Sequence, residues 1–439
     1  MRPEADLSPT ERLISLWDHL GIGTAHVATQ MPGDVAGLAA GFPSRLGGVV
    51  LCVPSRLDPA PFSEVSDRLL MICGQQGLTA DATARAMARL GGARRVVLAG
   101  YDAPGWADVV ADRTDEIVGE MMEFLDTLKA HPPTGAPREG THAGISYRVE
   151  GSGPALVLLP FFLAPSQWVP AVPRLARRFT VVTLGGRHLG GVAALEDRAR
   201  ASTYRAMFRT LIDLMAPATG EAILDVGCGA GSLDRLLARR LGAANAIVAV
   251  DANPFLLREA ALLAKAEGLA VPIHFALGNA EALPFADESF GCVFSVTVLE
   301  ECDADRALAE MVRVTKPGGR VGVIVRSLDL PQWWSVEVPD EIRRKIVTPP
   351  QSVGAKGVAD ASLYRRAQAA GLDSLTCFPS LVTLDRPEGP IWRYREDHLL
   401  SLLAPEETAV WQAAREAADE RSLLFMAHPM HCVVGRKAS

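Results

Sequence analysis

Short apolar runs alternate with amphipathic stretches along the chain, a pattern typical of an α/β protein with parallel sheets. In the front part, the predicted strands are residues 24–28, 48–53, 69–73, 95–99, 145–149, 155–159 and 180–184. The predicted helices between them include residues 80–90 and 112–128. A Pro- and Gly-rich linker at 131–137 separates two halves, 8–130 and 144–195. We therefore predict a first parallel-sheet module over residues 8–195 and a second domain over 196–439.

The sharpest local pattern is a glycine-rich loop after an apolar strand that ends in Asp225. The loop has glycines at 227, 229 and 231, and it runs into a helix with an apolar stripe. A dinucleotide-binding fingerprint would need a glycine where Ser232 stands, and the charge of Asp225 would repel a pyrophosphate. An acidic residue here favours a ligand with a cationic end, such as the ammonium and sulfonium of S-adenosylmethionine.

A second carboxylate follows the next predicted strand, residues 246–250. Asp251 stands 20 residues after Gly231, which is the spacing that lets a carboxylate accept hydrogen bonds from both hydroxyls of a ribose. Asn253 and Pro254 then cap and open the next helix. The two carboxylates together predict a nucleoside-containing, cationic ligand.

Four motifs in this order resemble class I S-adenosylmethionine-dependent methyltransferases, most closely the small-molecule group that includes quinone-biosynthesis and sterol-type enzymes. The motifs are residues 225–231, Asp251, 278–285 and 316–319. The resemblance covers about residues 202–437. It implies a seven-stranded, mostly parallel, Rossmann-like sheet whose last, antiparallel strand we place at 424–434.

The resemblance also implies the cofactor contacts. Asp225 would favour the ammonium group, Asp251 would hold the ribose, and Asn279 with Ala280 would meet the adenine, although position 279 is usually Asp in this family. The full set is Asp225, Gly227, Cys228, Gly229, Gly231, Asp251, Ala252, Asn279, Ala280 and Tyr204. The product, S-adenosylhomocysteine, is expected to bind as well.

Methyl transfer is an in-line displacement at a sulfonium, so the protein mainly aligns the acceptor and sometimes removes its proton. Glu300 and Glu301, after the predicted strand at 292–298, are candidates for a base or an acceptor-orienting group. An alternative is that they only favour the start of the helix near Asp303 through its dipole.

Two predicted insertions, residues 330–360 and 386–421, are rich in aromatic residues. Trp333, Trp334, Trp392 and Tyr394 are candidate acceptor contacts. The alternative is ordinary core packing. His428 and His431 resemble a metal pair, but no third ligand is apparent, so we predict no metal.

The front module resembles an α/β-hydrolase whose two halves stand in inverted order, as in a circular permutation. The elbow serine is replaced by Gln30, the acid position falls near Gly77, and the histidine position falls near Tyr101. A triad needs nucleophile, base and orienting group together. We therefore expect a binding, dimerisation or acceptor-presenting role, with a possible homo-oligomer through this module.

Composition narrows the function classes further. The 439 residues are 49% hydrophobic and 22% charged, which excludes a disordered protein. The net charge of −7 gives no footprint for nucleic acid. The uncharged stretch at 151–173 contains five prolines and predicts no membrane span. Seven scattered cysteines and the absence of a signal-like start predict a reduced, cytoplasmic protein acting on a small molecule. A non-catalytic S-adenosylmethionine-binding scaffold or sensor is the alternative function.

Overall fold

The computed structural model describes residues 7–54, 57–101, 109–135, 137–161, 165–186, 188–241, 245–269, 271–351, 353–387 and 389–438. The chain divides into two compact units, Met1–Ala193 and Ala194–Ser439. The sequence places this boundary between residues 195 and 196.

The first unit alternates strands with helices. Its strands are β1 Ala25–Thr29, β2 Leu46–Cys52, β3 Leu69–Gly74, β4 Arg94–Leu98, β5 Glu139–His142, β6 Ile145–Gly151, β7 Ala155–Leu158 and β8 Thr180–Gly185. Its helices are α1 Pro9–His19, α2 Pro32–Gly41, α3 Leu78–Met87, α4 Val109–Asp112, α5 Thr114–Leu125 and α6 Val172–Leu175. Helix α7, Gly190–Arg200, contains the boundary between the units.

These strands form one sheet in the order β4-β3-β2-β1-β7-β8-β6-β5. The pairs from β4 to β8 are parallel, whereas β6 and β5 are antiparallel to their neighbours. β1, β2 and β3 are buried at every residue, as expected for parallel strands covered on both faces. The seven predicted strands lie within two residues of the observed bounds. β5 escaped prediction because its residues are polar and mostly exposed.

The second unit contains the glycine-rich loop. Its strands are β9 Ala222–Val226, β10 Ala246–Asp251, β11 Ile273–Leu277, β12 Phe290–Val296, β13 Thr315–Arg326, β14 Trp333–Trp334, β15 Leu372–Leu384 and β16 Met426–Lys437. Its helices are α8 Ser202–Met215, α9 Ser232–Arg240, α10 Pro254–Ala266, α11 Ala304–Val314, α12 Asp340–Ile346, α13 Ser362–Ala369, α14 Gly389–Ser401 and α15 Pro405–Glu420.

The second sheet has the order β11-β10-β9-β12-β13-β16-β14, and β15 also pairs with β16. β9 to β13 are parallel, and β16 is antiparallel to β13, β14 and β15. The described sheet has eight strands rather than the implied seven, because the two-residue β14 also pairs with β16. The chain winds outward from β9 to β11 and then returns to β12 on the other side of β9. Such a reversal opens a crevice at the carboxyl ends of the strands, where open α/β sheets bind ligands.

The inserted segments have an apolar core of their own, which we call the insert core. It includes Trp334, Trp392, Trp411, Leu399 and Met426. The ring centre of Trp334 lies 5.3 Å from those of Trp392 and Trp411, with nearly perpendicular planes, the edge-to-face geometry that aromatic rings prefer. No helix within the described ranges is long and apolar enough to cross a bilayer.

The insert core makes a stability prediction. Trp411 is fully buried, so Trp411→Ala should lower the free energy of unfolding by about 3–5 kcal/mol. Trp333→Ala is the matched control, since that side chain is 51% exposed, and it should cost less than about 1 kcal/mol. Denaturant unfolding followed by circular dichroism measures both. Equal losses would contradict the assignment of Trp411 to a core.

Candidate functional site

The loop between β9 and α9 adopts a backbone conformation that favours glycine. Gly227, Gly229 and Gly231 have φ angles of +83°, +55° and +69°. A Cβ atom on Gly227 would lie 2.1 Å from Cγ2 of Val298. Glycine therefore gives this loop both positive φ and the close approach of a neighbouring chain segment.

Three main-chain N–H groups of the loop donate to the end of β10. Those of Gly227 and Cys228 donate to the carbonyl of Val250, at 2.7 and 3.0 Å. The N–H of Gly229 donates to Oδ2 of Asp251 at 2.8 Å. The loop and the carboxylate predicted to hold a ribose are thus brought into direct contact.

The Asp251 carboxylate is oriented from two sides. Its Oδ1 accepts from the N–H of Asn253 at 2.8 Å, while Oδ2 accepts from Gly229. Burial raises the pKa of Asp251, and these two hydrogen bonds oppose that rise. Each oxygen has a further lone pair, so the group can still accept from two hydroxyls. Ala252 follows it and is exposed.

A second carboxyl pair is buried beside this loop. Asp225 is the last residue but one of β9, and Asp234 lies in the first turn of α9; they are 2% and 0% exposed. Burial raises the pKa of Asp234 to about 7. The pKa of Asp225 is raised well above its ordinary value, first by burial and then by the charge of Asp234. No N–H or O–H group among the described residues donates to either Asp234 oxygen, so the pair is suited to share a proton or to meet a cation.

Asn279 and Ala280 lie in a turn after β11. Oδ1 of Asn279 accepts from the N–H of Glu281 at 2.9 Å, and its carbonyl accepts from Ala282 at 3.0 Å. The side-chain oxygen assigned to adenine is therefore already engaged, with one lone pair left. The adenine contact stays a prediction.

Tyr204, on α8, is buried at the same end of the sheet. Its ring lies 5.1 Å from the guanidinium carbon of Arg198, a cation–π distance. Arg198 Nη1 in turn donates to Oγ1 of Thr297, just after β12, at 2.8 Å. Burial raises the pKa of Tyr204; Arg198 opposes the rise and Asp225 adds to it. Tyr204 thus lies within electrostatic reach of both charges.

Glu300 and Glu301 both bind Arg326, the last residue of β13. Oε1 of Glu300 accepts from the Arg326 main-chain N–H at 2.7 Å and from its Nε at 3.3 Å. Glu301 accepts from Nη2 at 2.8 Å. The alternative role at a helix start belongs instead to Asp303, whose side chain accepts from the N–H of Arg306. Glu300, fully buried, therefore anchors the end of β13.

The four candidate aromatic contacts separate into different environments. Trp334 and Trp392 belong to the insert core, and their Nε1 groups donate to the carbonyl of Ile346 and to Glu396. Their assignment to an open acceptor pocket is corrected, because the rings are packed against each other. Trp333 is half exposed. Tyr394 lines a cavity beside the ends of β13 and β16.

The two histidines of β16 have different surroundings. Nε2 of His431 lies 2.7 Å from Oδ1 of Asp329, and its Nδ1 lies 2.9 Å from the hydroxyl of Tyr364. His428 lines the cavity with Tyr394. Within the described ranges, no group of three or more His, Cys, Asp or Glu side chains is placed to hold a metal ion.

Sequence reasoning missed Asp234, His428 as a cavity residue, and Arg395, a buried arginine of α14 that lines the same cavity. Asp234 is a charged residue next to the apolar positions of α9, so the sequence alone suggests that it faces solvent. Only burial distinguishes these polar side chains from surface ones. The usable signal in the sequence was the nearness of Asp234 to the glycine loop.

Comparison with known proteins bears on this unit. Residues 224–323 match the family model described as a methyltransferase domain. The ubiquinone/menaquinone biosynthesis C-methyltransferase UbiE of Legionella pneumophila is 38% identical over 117 residues, 26% of this chain and 47% of the relative. The protein of the same name from Methylococcus capsulatus is 32% identical over 157 residues, 36% of this chain and 60% of the relative.

Among solved structures, the YcgJ protein from Bacillus subtilis is similar with a TM-score of 0.38 and 18% identity, covering 54% of this chain and 99% of that one. The chain spans about half the length of the curated relatives it matches. Residues 224–323 thus match a methyltransferase domain, which is the class predicted for this part of the chain.

The carboxyl pair makes a pH prediction. The folded-state pKa of Asp234, about 7, lies above its ordinary value of 3.8, so the folded state holds a proton that the unfolded chain releases. The stability that this bound proton contributes is fully present below about pH 4 and is lost as the pH rises to about 7. Asp234→Asn should flatten this fall, as measured by Tm between pH 5 and 8.

Asp373→Asn is the control for that series, since Asp373 is exposed to solvent. It should keep the parent's pH dependence. A parent-like fall of Tm in Asp234→Asn as well would show that other groups cause it.

Proposed function

We propose that the chain transfers a methyl group from S-adenosylmethionine to a small-molecule acceptor by in-line displacement. The observation that carries the proposal is the Asp251 carboxylate, held by the N–H groups of Gly229 and Asn253 at the end of β10. It stands beside a loop whose glycines adopt positive φ and let Val298 and Phe275 pack closely against the main chain.

In this proposal the carboxylates orient the cofactor. Asp251 would accept both ribose hydroxyls, and the Asp225–Asp234 pair would favour the cationic methionine end. Gly227, Cys228, Gly229 and Gly231 would form the main-chain wall, and Ala252, Asn279, Ala280 and Tyr204 would complete the site. The cofactor supplies an electrophilic methyl group with a good leaving group. The protein then has to align the acceptor and exclude water.

The acceptor would lie where the carboxyl ends of β12 and β13 meet the inserted segments. Glu300 supports this position indirectly, since it holds the end of β13 through Arg326. We infer a positioning role for Glu300 rather than a role as base, because its Oε1 is engaged and the side chain is fully buried. Tyr394 is the remaining aromatic candidate for acceptor contact.

We further propose that the first unit is a permuted α/β-hydrolase-like module without hydrolase chemistry. Strands β5 to β8, which follow the linker, fill one side of the sheet, and β1 to β4 continue it from β7. One sheet is thus built from two chain halves in inverted order, as permutation would produce. The turn after β1 carries Gln30 where a nucleophile would stand, and Tyr101 donates its hydroxyl to Asp112 at 3.0 Å.

The cofactor assignment is tested with Asp251→Ala. The loss leaves two ribose hydroxyls without an acceptor, so affinity should fall by about 1.5–3 kcal/mol, roughly 10- to 150-fold. Calorimetry with S-adenosylhomocysteine measures the change. Asp340→Ala is the control, because that side chain is 87% exposed. Unchanged affinity in a folded Asp251→Ala protein would overturn the assignment; binding without transfer to any screened acceptor would favour the scaffold alternative.

The first unit is tested with a fluorophosphonate probe, which labels only an activated serine. We expect no stoichiometric labelling between residues 8 and 195, with a known serine hydrolase labelled in parallel. Mass spectrometry locates any adduct. A single labelled serine at one mole per mole of chain would refute the degenerate module.

A further inference from the structure

Arg395 of α14 is a buried cation that has no counter-ion among the described residues. The side chain is part of a residue only 6% exposed. Its Nη1 donates to Oε1 of Gln332 at 3.0 Å, and its Nε has no hydrogen-bond partner among the described residues. No described carboxylate lies within ion-pair distance of it. Burial lowers the pKa of Arg395 to about 10, a value at which the group is still charged at neutral pH.

Gln332 fixes the direction of this guanidinium. Its Nε2 donates to the carbonyls of Ile346 and Thr348 at 2.9 and 3.2 Å. The amide is therefore locked with Oε1 towards Arg395. A side chain held this way is pre-organised, and it retains donors for a further partner.

Arg395 lines a small cavity of about 10 Å³, whose lining also includes Tyr394, Arg326 and His428. This space holds about one water-sized group. It therefore admits no more than the tip of a small polar group, such as one oxygen of an anion. Because Arg326 ends β13, the cavity lies at the edge of the sheet where the acceptor is proposed to bind.

The charges around this cavity are unbalanced towards the positive. Arg326 is neutralised by Glu300 and Glu301. Arg198, by contrast, makes one hydrogen bond, to Thr297, and its Nε has no partner among the described residues. His428 lies within reach of all three guanidinium groups: burial, then Arg395, Arg198 and Arg326, lowers its pKa well below the ordinary value. Nδ1 of this neutral histidine also has no partner in the part of the chain described.

A buried guanidinium that lacks a carboxylate has a large desolvation cost, which the single hydrogen bond to the neutral Gln332 side chain offsets only in part. A planar fork of N–H donors matches the oxygen pair of a carboxylate or a phosphate. An apolar or cationic acceptor would not reduce the desolvation cost of the Arg395 guanidinium. An anionic group that enters from solution would remove it.

We propose that this cavity binds the anionic group, a carboxylate or a phosphate, of the methyl acceptor, with Arg395 as its principal ligand and Arg198 and His428 beside it. The proposal rests on the proposed methyltransferase function and names its substrate class. The acceptor is an acidic small molecule whose anion is held at the insert, while its reacting atom faces the cofactor.

The test measures Tm of the full chain, saturated with S-adenosylhomocysteine, in phosphate, methylphosphonate or acetate against chloride at equal ionic strength. At saturation one of these anions should raise Tm by roughly 5 °C. A larger increase with phosphate or methylphosphonate would indicate a phosphate group on the acceptor. A larger increase with acetate would indicate a carboxylate. Arg395→Gln should abolish the increment. Arg421→Gln, an exposed arginine of the same insert, should keep it.

Two results separate a ligand role from a structural one. Without added anion, Arg395→Gln should melt at or above the parent temperature, since a buried unpaired charge has been removed. A structural arginine would instead melt several degrees lower, and that result would overturn the proposal. So would the absence of an anion increment in the parent, or an equal increment in Arg395→Gln. Normal S-adenosylhomocysteine affinity in those cases would leave the cofactor assignment intact.

Discussion

The hydrogen bonds that tie the glycine loop to the end of β10 are the constraint on which the site depends. They require a chain that can turn with positive φ three times in five residues, directly after a buried strand. With the loop fixed there, Gly229 orients the Asp251 carboxylate. Helix α9 must then begin at Ser232, which carries Asp234 towards Asp225. The acidic side of the site is therefore a consequence of the loop geometry.

At the carboxyl ends of the strands, the buried acidic and basic groups lie in separate places. Among the described residues, carboxyl groups without an ion-pair partner lie at the ends of β9 and β10, whereas guanidinium groups without one lie near the ends of β12 and β13. Both groups affect Tyr204, since Asp225 raises its pKa and Arg198 lowers it. A buried charge without a partner destabilises the folded protein. Functional sites commonly retain such charges at a cost in stability.

The inserted segments pack around an apolar core of their own that contains three tryptophans. Trp334, Trp392 and Trp411 pack edge to face, so helix α14 is held rigidly by Trp392. That rigidity places Arg395, three residues later, against the cavity. Trp334 and Trp392, which the sequence suggested as acceptor contacts, thus pack in this core, whereas Tyr394 and Arg395 line the cavity beside it.

The sequence by itself determined seven strands of the first unit to within two residues, and in the second unit the glycine loop with the strands on either side of it and the position of Asp251. These features follow from local periodicity and short spacings. The sequence predicted no bounds for β5, β11, β13, β14 or β15. The tertiary structure decided what local pattern cannot express. Whether Asp234 and Arg395 are buried, whether Glu300 is already bound to Arg326, and whether Trp334 faces a core or a pocket depend on side chains far apart in the chain. Burial and partner choice are properties of packing, and packing is set by contacts between distant segments.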